Sequence, residues 1–424
     1  MDRRRIRELQ LERLRWTVRH CYRNVPFYRR KLDAMGVDPD RIRTLSDIRY
    51  LPITTKEDIR DNYPCGLFAV PRREVVRIHA SSGTTGKPTV VGYTRNDLDM
   101  WSQVVARLCA AAGATDEDVA QICFGYGLFT GALGLHYGLE RLGATVIPTS
   151  TGNTEKQLMM MKDLETTTVI STPSYCLYMA EKAKELGYDV KKDFKLRLGL
   201  LGSEGCTPEM RDKIEAAWGL FATDNYGMSE LIGPGVSGEC RERDGLHIAE
   251  DHFLCEVLGP DGEPVPEGEA GELVVTPLTK EAMPLLRYRT KDITRLNTAP
   301  CRCGRTMARM DKIMGRTDDM LKIRGVNVFP TQIESVILHM KEVGGHYQLI
   351  VRREGFFDTL EVAVELVDAS LLERYSELER LTQRIQYQLR SVLGIDCLVT
   401  LAQPNSLQRF EGKAKRILDL REKS

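Results

Sequence analysis

The sequence lacks both the charge imbalance of a nucleic-acid-binding protein and the long apolar run of a membrane span. Its 424 residues contain 60 Lys plus Arg and 60 Asp plus Glu, so the formal net charge is zero and no basic surplus is available to a nucleic acid. Apolar runs near about 18 residues are absent, as is a secretory h-region. We therefore expect a cytoplasmic protein with no nucleic-acid or membrane partner.

A disulfide framework is also not expected, although the chain contains eleven cysteines. The number is odd and the cysteines are scattered, which fits a reducing compartment. Most of them are expected to be small buried hydrophobic residues. A chain of 424 residues is too long for one ordinary core, so two or three domains are expected.

Short apolar strands alternate with helices in the middle of the chain. The predicted strands end in polar or Gly-rich turns and cover 144–150, 167–174, 196–204 and 221–227. The predicted helices cover 155–165, 174–187 and 207–217. This alternation predicts an α/β fold with a mainly parallel sheet covered by helices, and in such sheets ligands bind at the carboxyl ends of the strands.

Two further regions with different sequence patterns complete the predicted domain organisation. Residues 250–300 are punctuated by Gly and Pro and predict antiparallel hairpins in a barrel-like region. A new α+β unit follows, with a helix from about 330, strands at 347–354 and 360–367, a helix from about 370 and a last strand near 397–402. We predict a large N-terminal domain, 1–317, and a small C-terminal domain, 318–424.

The stretch "HASSGTTGKPT" (79–89) has the composition of a phosphate-binding loop. Backbone N–H groups and hydroxyls of such a loop converge on phosphate oxygens. The Walker pattern does not fit, because only two residues separate Gly83 from Gly86 and Pro88 follows Lys87. A flexible Ser/Gly linker is the alternative, but the loop leads directly into strand-like sequence.

Four other stretches carry polar groups suited to a nucleotide, and each has a plain alternative. "DNYGMSE" (224–230) offers an aromatic ring, a hydroxyl and a carboxylate for Mg²⁺, but such turns are common at strand ends. Asp292 in "YRTKDITRL" suits a ribose, or is a surface turn carboxylate. "GRTDDMLKIRGVNVFPTQIE" (315–334) is a Gly-rich charged loop, and "EGKAKRILD" (411–419) has a solvated basic helix as its alternative.

Taken in order, these stretches resemble the adenylate-forming superfamily, and within it the phenylacetate–coenzyme A ligase group. The motifs that carry the resemblance are "SSGTTGKPTVVGYT", "FGYGLFTGALGLHYG" (124–138), "YGMSELIGPGVSGEC" (226–240), "LTKEAMPLLRYRTKD" and "TDDMLKIRGVNVFPTQIE". The resemblance implies two half-reactions: a carboxylate and ATP give an acyl-adenylate and pyrophosphate, and coenzyme A then displaces AMP. No protein nucleophile is required, since the protein supplies position and charge stabilisation.

The resemblance also implies the nucleotide site. The catalytic residues are Lys413, Ser229 and Glu230: Lys413 bridges the carboxylate and the α-phosphate, Ser229 touches that phosphate, and Glu230 binds Mg²⁺. Lys415 is the rival to Lys413. The residues that bind the nucleotide are Ser81, Ser82, Gly83, Thr84, Thr85, Gly86 and Lys87 at the phosphates, Ser203, Glu204 and Gly205 beside the adenine, Asn225, Tyr226, Gly227 and Met228 at the base, and Asp292 with Arg316 at the ribose.

Further residues are assigned to the acid, to coenzyme A and to domain rotation. Asp318 is the implied hinge, and Arg324 and Gly325 lie in the loop presented to coenzyme A. The acid pocket is expected from Phe124, Tyr126, Phe129, Gly131, Ile232, Gly233 and Pro234. These residues suit an aryl acid, the glycines at 125, 127, 131 and 134 suggest close backbone approach to a ligand, and ordinary core packing is the alternative for the apolar ones.

Four residues have the composition of a closed structural zinc site: Cys240, His247, Cys301 and Cys303. The Cys-x-Cys spacing of the last two is tighter than usual, and Pro300 and Gly304 flank them in a turn. Cys255 is a spare candidate. The alternative is that all of these are unrelated reduced residues.

The expected activity is therefore an ATP-, Mg²⁺- and coenzyme A-dependent ligase of aryl or arylalkyl acids, working as a homodimer by resemblance. One alternative is an enzyme that adenylylates a deazaflavin-type cofactor without coenzyme A, because such enzymes resemble this group and share "PCRCGRT". Another is an enzyme that loads the acid onto a carrier protein. A non-catalytic relative is disfavoured because Lys413, Glu230 and Asp292 are all present.

Overall fold

The helices of the central region begin and end at residues suited to capping. In α4 (Arg95–Ala112), the Thr94 side chain accepts the N–H of Asp97, and Gly113 ends the helix with φ 104°. In α9 (Pro208–Trp218), Thr207 caps the start and Gly219 ends the helix with φ 74°. Each cap binds a backbone group that the helix cannot pair internally.

The structure is a computed structural model that describes residues 1–81, 88–323, 326–354, 357–410 and 414–421. The α-helices are α1 Arg3–Asn24, α2 Pro26–Ala34, α3 Lys56–Asp61, α4 Arg95–Ala112, α5 Gly131–Leu142, α6 Thr154–Asp163, α7 Pro173–Glu185, α8 Val190–Asp193, α9 Pro208–Trp218, α10 Pro330–Leu338 and α11 Tyr375–Leu393. Short 3₁₀ helices cover Pro39–Arg41, Leu45–Tyr50, Arg72–Glu74 and Ala369–Glu373.

The strands of the large N-terminal region are β1 Arg77–Ala80, β2 Val90–Tyr93, β3 Val119–Ile122, β4 Thr145–Ile147, β5 Thr168–Ser171, β6 Leu198–Gly202, β7 Phe221–Met228, β8 Gly233–Glu239, β9 Leu246–Ile248, β10 Phe253–Leu258, β11 Gly271–Pro277, β12 Tyr288–Thr294, β13 Leu296–Asn297, β14 Arg309–Met310 and β15 Gly315–Arg316. Those that follow are β16 Leu321–Ile323, β17 Val326–Val328, β18 Val343–Glu354, β19 Phe357–Leu366, β20 Leu398–Ala402 and β21 Ile417–Asp419.

A nine-stranded sheet forms the centre of the large region, with the order β13-β14-β9-β8-β7-β6-β5-β3-β4. The strands from β4 to β7 run parallel, as the alternation of strands and helices predicts. From β7 onward the pairings are antiparallel, so the sheet is mixed. Every residue of β5 and β6 is buried, which is expected where helices cover both faces.

A second sheet of four antiparallel strands, β10-β11-β12-β15, confirms the hairpins predicted after residue 250. Its last pairing sets Asp292 of β12 opposite Arg316 of β15. The two residues assigned to the ribose are therefore neighbours because of strand register.

The small C-terminal region has the predicted α+β composition. Strands β20-β19-β18-β21 form its sheet, with α10 and α11 as its helices. The basic-helix alternative for 411–419 is wrong for the end of that stretch, because Ile417–Asp419 is a strand that pairs in parallel with β18. The two adjacent apolar residues Ile417 and Leu418 after a basic run are too short a signal to predict a strand.

Other expectations for the fold are confirmed or refined. The N-terminal helix α1 packs on the body through Ile6, Leu14 and Val18, whereas Trp16 is 41% exposed. Across the described ranges, the helices are all too short or too polar to cross a membrane. The fold class, a large α/β region followed by a small α+β region, is as predicted.

Gly134 serves helix packing and not the approach of backbone to a ligand. A Cβ at this position would lie 2.5 Å from Cζ2 of Trp101 and 2.7 Å from Cγ of Pro234. The expectation from the sequence is therefore wrong at this position. The missing side chain allows α5 to contact α4 and the start of β8 closely.

We predict that Gly134→Ala lowers the free energy of unfolding by about 1–3 kcal/mol, because the added methyl overpacks the contact with Trp101. Gly131→Ala on the same helix is the control, since its Cβ would meet its neighbours only at 3.7 Å. Urea unfolding of both variants measures the difference. Equal stabilities would contradict this packing argument.

Candidate active site

The predicted phosphate loop connects strands β1 and β2 and is held at its base. Ala80 pairs with Val90, the N–H of Ser81 donates to the carbonyl of Thr89 at 3.0 Å, and the two hydroxyls are also hydrogen bonded. Ser82, Gly83, Thr84, Thr85, Gly86 and Lys87 lie outside the described residues. The β1–β2 hairpin therefore fixes the positions of the two ends of the loop.

Glu230 lies next to this loop base. Its side chain is 4% exposed, and the hydroxyl of Thr89 donates to its Oε1 at 3.3 Å. The ammonium of Lys56 is 3.6 Å from the same oxygen. A buried carboxylate with few direct partners is a suitable ligand for Mg²⁺, which prefers hard oxygen atoms.

Lys56 is brought to Glu230 by the start of α3. The preceding Thr54 pairs with the start of β12, since its N–H donates to the carbonyl of Arg287 and its carbonyl accepts from the N–H of Arg289. Thr55 then caps the helix. The sequence alone did not identify Lys56, because "TTKEDIRD" reads as an ordinary helix start.

Ser229 and Glu230 occupy a tight turn between β7 and β8. The hydroxyl of Ser229 is 3.0 Å from that of Thr130, which joins the turn to the "FGYGLFTG" segment. Gly227 allows the turn to close, because a Cβ there would lie 1.8 Å from the carbonyl oxygen of Gly233. Only glycine fits at this point, and Gly233 itself has φ 97°.

Asp292 is buried between Tyr226 and Arg316. The Tyr226 hydroxyl donates to Oδ2 at 2.6 Å, and the Arg316 guanidinium donates to Oδ1 at 2.6 Å. Burial raises the pKa of Asp292, and the positive charge of Arg316 opposes that rise. The surface-turn alternative for Asp292 is therefore wrong.

Arg316 also binds the predicted hinge residue. Its Nε and one terminal nitrogen donate to the two carboxylate oxygens of Asp318 at 2.9 and 3.0 Å. One guanidinium thus connects Asp292 with Asp318, and planar donors of this kind suit two-point recognition of a carboxylate.

The predicted adenine wall, Ser203 to Gly205, follows the carboxyl end of β6. Ser203 has φ 70°, and the Glu204 carboxylate accepts the N–H of Ser174 at 2.7 Å at the start of α7. The other oxygen of Glu204 accepts the N–H of Ala414 at 3.1 Å. Lys413, the residue before Ala414, lies outside the described residues, and Lys415 is exposed.

Other residues of the nucleotide motif hold the fold around the site. Asn225 is buried, and its amide donates to the carbonyl of Leu201 on the neighbouring strand. Met228 is half-buried at the end of β7. Arg324 and Gly325, assigned to coenzyme A, lie outside the described residues.

The residues predicted to line the acid pocket divide into two sets. Phe124 and Ile232 belong to the hydrophobic core, as the alternative proposed, and Gly131, Gly233 and Pro234 are buried around them. Phe129 is 44% exposed. The hydroxyl of Tyr126 is 2.9 Å from Nδ1 of His136, so this ring is held in place by a polar contact.

The four predicted metal-binding residues form one cluster. The ligand atoms of Cys240, His247, Cys301 and Cys303 all lie within 4.8 Å of one another. Sγ of Cys240 is 3.8 Å from Sγ of Cys301, and Sγ of Cys303 is 3.4 Å from Nε2 of His247. Cys255 lies on β10 and is not part of the cluster.

Comparison with known proteins agrees with this geometry. A family model described as "AMP-binding enzyme" matches residues 9–277, and one described as "AMP-binding enzyme C-terminal domain" matches residues 325–421. The phenylacetate–coenzyme A ligase of Escherichia coli (strain K12) is 52% identical over 419 residues, which is 98% of this chain and 95% of that protein. The enzyme of the same name from Thermus thermophilus is 51% identical over 436 residues, which is 99% of this chain and 98% of that protein.

The solved structures of 2-hydroxyisobutyryl-CoA ligase are also similar. In the postadenylation state with an acyl-AMP, that protein superposes with a TM-score of 0.93 at 28% identity over 99% of this chain and 90% of its own. In the thioesterification state with coenzyme A the TM-score is 0.74, at 29% identity over 100% and 91% of the chains. The chain therefore belongs to the AMP-binding, adenylate-forming enzymes. Within them it falls in the phenylacetate–coenzyme A ligase group, and the resemblance stated from the motifs is confirmed.

Proposed function

We propose that the chain is an ATP-dependent aryl-acid–coenzyme A ligase acting on phenylacetate or a close analogue. The observation that carries the proposal is the convergence of the loop base, Glu230 and the Asp292–Arg316 pair in a chain that is 52% identical to a phenylacetate–coenzyme A ligase over nearly its full length. That degree of identity to ligases favours coenzyme A over a deazaflavin or a carrier protein as the second substrate.

In the proposed reaction the protein positions charge. Glu230 would hold Mg²⁺, which would neutralise charge on the phosphates, and Ser229 would contact the α-phosphate. The loop 82–87 steadies the departing pyrophosphate. Asp292 accepts the ribose hydroxyls, and the positive charge of Arg316 opposes the rise in the pKa of Asp292 that burial causes.

Lys413 is proposed to bridge the acid and the α-phosphate. Its neighbour Ala414 donates its N–H to Glu204 of the adenine wall, and adjacent Cα atoms are only about 3.8 Å apart. The chain superposes better on the postadenylation state of 2-hydroxyisobutyryl-CoA ligase than on its thioesterification state. This supports a small-domain orientation that belongs to the adenylation half-reaction. In the second half-reaction, rotation about Asp318 takes this lysine away and brings Arg324 and Gly325 to coenzyme A.

We predict that the chain, supplied with ATP, Mg²⁺, coenzyme A and phenylacetate, forms the coenzyme A thioester and releases pyrophosphate. Mass spectrometry of the thioester and a coupled pyrophosphate assay measure both products across a panel of aryl and aliphatic acids. A deazaflavin–AMP adduct without any acyl-coenzyme A, or transfer only to a carrier protein, would overturn the proposal.

We predict that Lys413→Ala lowers the rate of adenylation by about 100-fold or more, the effect of removing a preorganised donor to developing charge. Thioester formation from supplied phenylacetyl-adenylate should be retained. Lys415→Ala is the matched control, because Lys415 is two residues away and exposed. Loss of adenylation in Lys415→Ala alone would transfer the role to Lys415.

The cysteine cluster is proposed to hold a structural Zn²⁺. Thiolates about 2.3 Å from a tetrahedral zinc lie about 3.8 Å apart, and this is the distance between Sγ of Cys240 and Cys301. Burial raises the pKa of the Cys240 thiol to about 11, so the thiol is protonated without a cation and metal binding displaces the proton. The site would tie the end of β8 to the segment before the small domain.

We predict one zinc per chain in protein purified without chelators, and a lower melting temperature with less zinc in Cys301→Ser. Cys255→Ser is the control and should keep its zinc, since Cys255 lies outside the cluster. Elemental analysis and thermal unfolding measure the two effects. Wild-type protein without stoichiometric metal would contradict the assignment.

A homodimer is proposed by the same resemblance. Light scattering of the purified protein tests it.

A further inference from the structure

Lys280 is a fully buried lysine to which the proposed reaction gives no role. Its relative exposure is 1%, and burying an ammonium is costly unless its charge and donors are matched. Its Nζ lies 4.1 Å from the centre of the Tyr93 ring and donates to the carbonyl of Leu231 at 2.8 Å. Leu231 directly follows Glu230.

The backbone carbonyls that directly follow Glu230 are bound by a set of buried side chains that includes Lys280. The Tyr93 hydroxyl donates to the carbonyl of Ile232 at 3.2 Å, and Nε1 of Trp101 donates to that of Pro234 at 2.8 Å. The rings of Tyr93 and Trp101 are stacked, with centroids 5.2 Å apart. Each buried carbonyl must find a donor, so these side chains determine the path of residues 231–234.

The backbone next to Lys280 is also fixed. The Asp97 carboxylate at the start of α4 accepts the N–H of Glu281 at 2.7 Å and that of Ala282 at 3.0 Å. The lysine stem therefore starts from a clamped segment and extends through the core to the turn. A rigid stem of this kind places a charge accurately.

The charge of Lys280 is balanced by groups on separate elements. Asp97 on α4 and Glu230 in the turn attract its ammonium, while burial lowers the pKa of Lys280 to about 8. His79 on β1 faces the same Tyr93 and Trp101 rings. Tyr93 contributes the face of its ring, which attracts a cation most strongly where water is excluded.

We propose that Lys280 is a positioning residue for adenylation: its buried ammonium holds the turn that carries Ser229 and Glu230 and offsets the charge of Glu230 before magnesium and ATP bind. The inference rests on the proposed function, because it assigns Lys280 to the half-reaction that uses the metal. The second half-reaction, attack by coenzyme A on the adenylate, does not depend on Glu230 holding Mg²⁺.

The test is the substitution Lys280→Met, which keeps the length of the stem and removes the charge and the donor. We expect kcat/KM for adenylation of phenylacetate to fall by about tenfold or more, the effect of one charge-assisted hydrogen bond. The free Mg²⁺ concentration that gives half-maximal pyrophosphate release should rise. The rate of thioester formation from supplied phenylacetyl-adenylate should change much less.

Arg287→Met is the matched control. Arg287 is a buried cation seven residues further on, but its guanidinium binds Glu256 and the carbonyls of Arg49 and Leu51. Its loss should lower the melting temperature without changing the ratio of the two half-reactions or the Mg²⁺ requirement. The control therefore distinguishes an effect on the position of the Ser229–Glu230 turn from a general loss of stability.

Equal losses in both half-reactions, or unchanged adenylation and Mg²⁺ requirement, would overturn the proposal. If Lys280→Met does not fold, Tyr93→Phe decides by the same measurements, because it removes the donor to Ile232 and keeps the ring. Wild-type protein that forms no phenylacetyl-coenzyme A at all would instead contradict the proposed function, and the two failures are thereby distinguished.

Discussion

Burial of the Glu230 carboxylate is the constraint on which the arrangement of the site depends. A carboxylate at 4% exposure needs compensating charge and donors, and no single segment of the chain supplies them. Thr89 comes from the end of the phosphate loop, and Lys56 comes from the start of α3. The ammonium of Lys280 adds attraction from behind the turn. Packing these distant segments together places the base of the phosphate loop next to Glu230, the proposed metal ligand.

A second buried acid organises the other half of the cleft. Asp292 takes a hydrogen bond from Tyr226 and an ion pair from Arg316, and Arg316 extends the connection to Asp318. Tyr226 of β7, the proposed ribose ligand Asp292 and the predicted hinge residue Asp318 are thus joined through Arg316 by one chain of hydrogen bonds. A change of position at Asp318 has a direct physical route to Asp292.

The fold and the outline of the site were predictable because they depend on local patterns. A buried strand such as β6 is a continuous run of Leu and Gly, and Thr207 with Gly219 gives the bounds of α9. The motifs around Asp292 and Glu230 are short: Asp292 lies within β12, and Glu230 follows the end of β7. Lys56 and Lys280 could not be predicted, because a lysine looks the same in a sequence whether it faces water or a buried carboxylate. The prediction for Gly134 failed for a similar reason. A glycine indicates that another group comes close to the backbone, but it does not show whether that group is a ligand or a neighbouring side chain such as Trp101.

Strand β21 has a mechanical consequence for Lys413, the proposed catalytic lysine. Ile417 pairs with Leu349 of β18, and Lys413 precedes Ile417 by four residues, which span at most about 14 Å when extended. The lysine is thus on a short tether to the edge of the small-domain sheet. In the proposed reaction, the orientation of the small domain would therefore control whether this amine reaches the nucleotide.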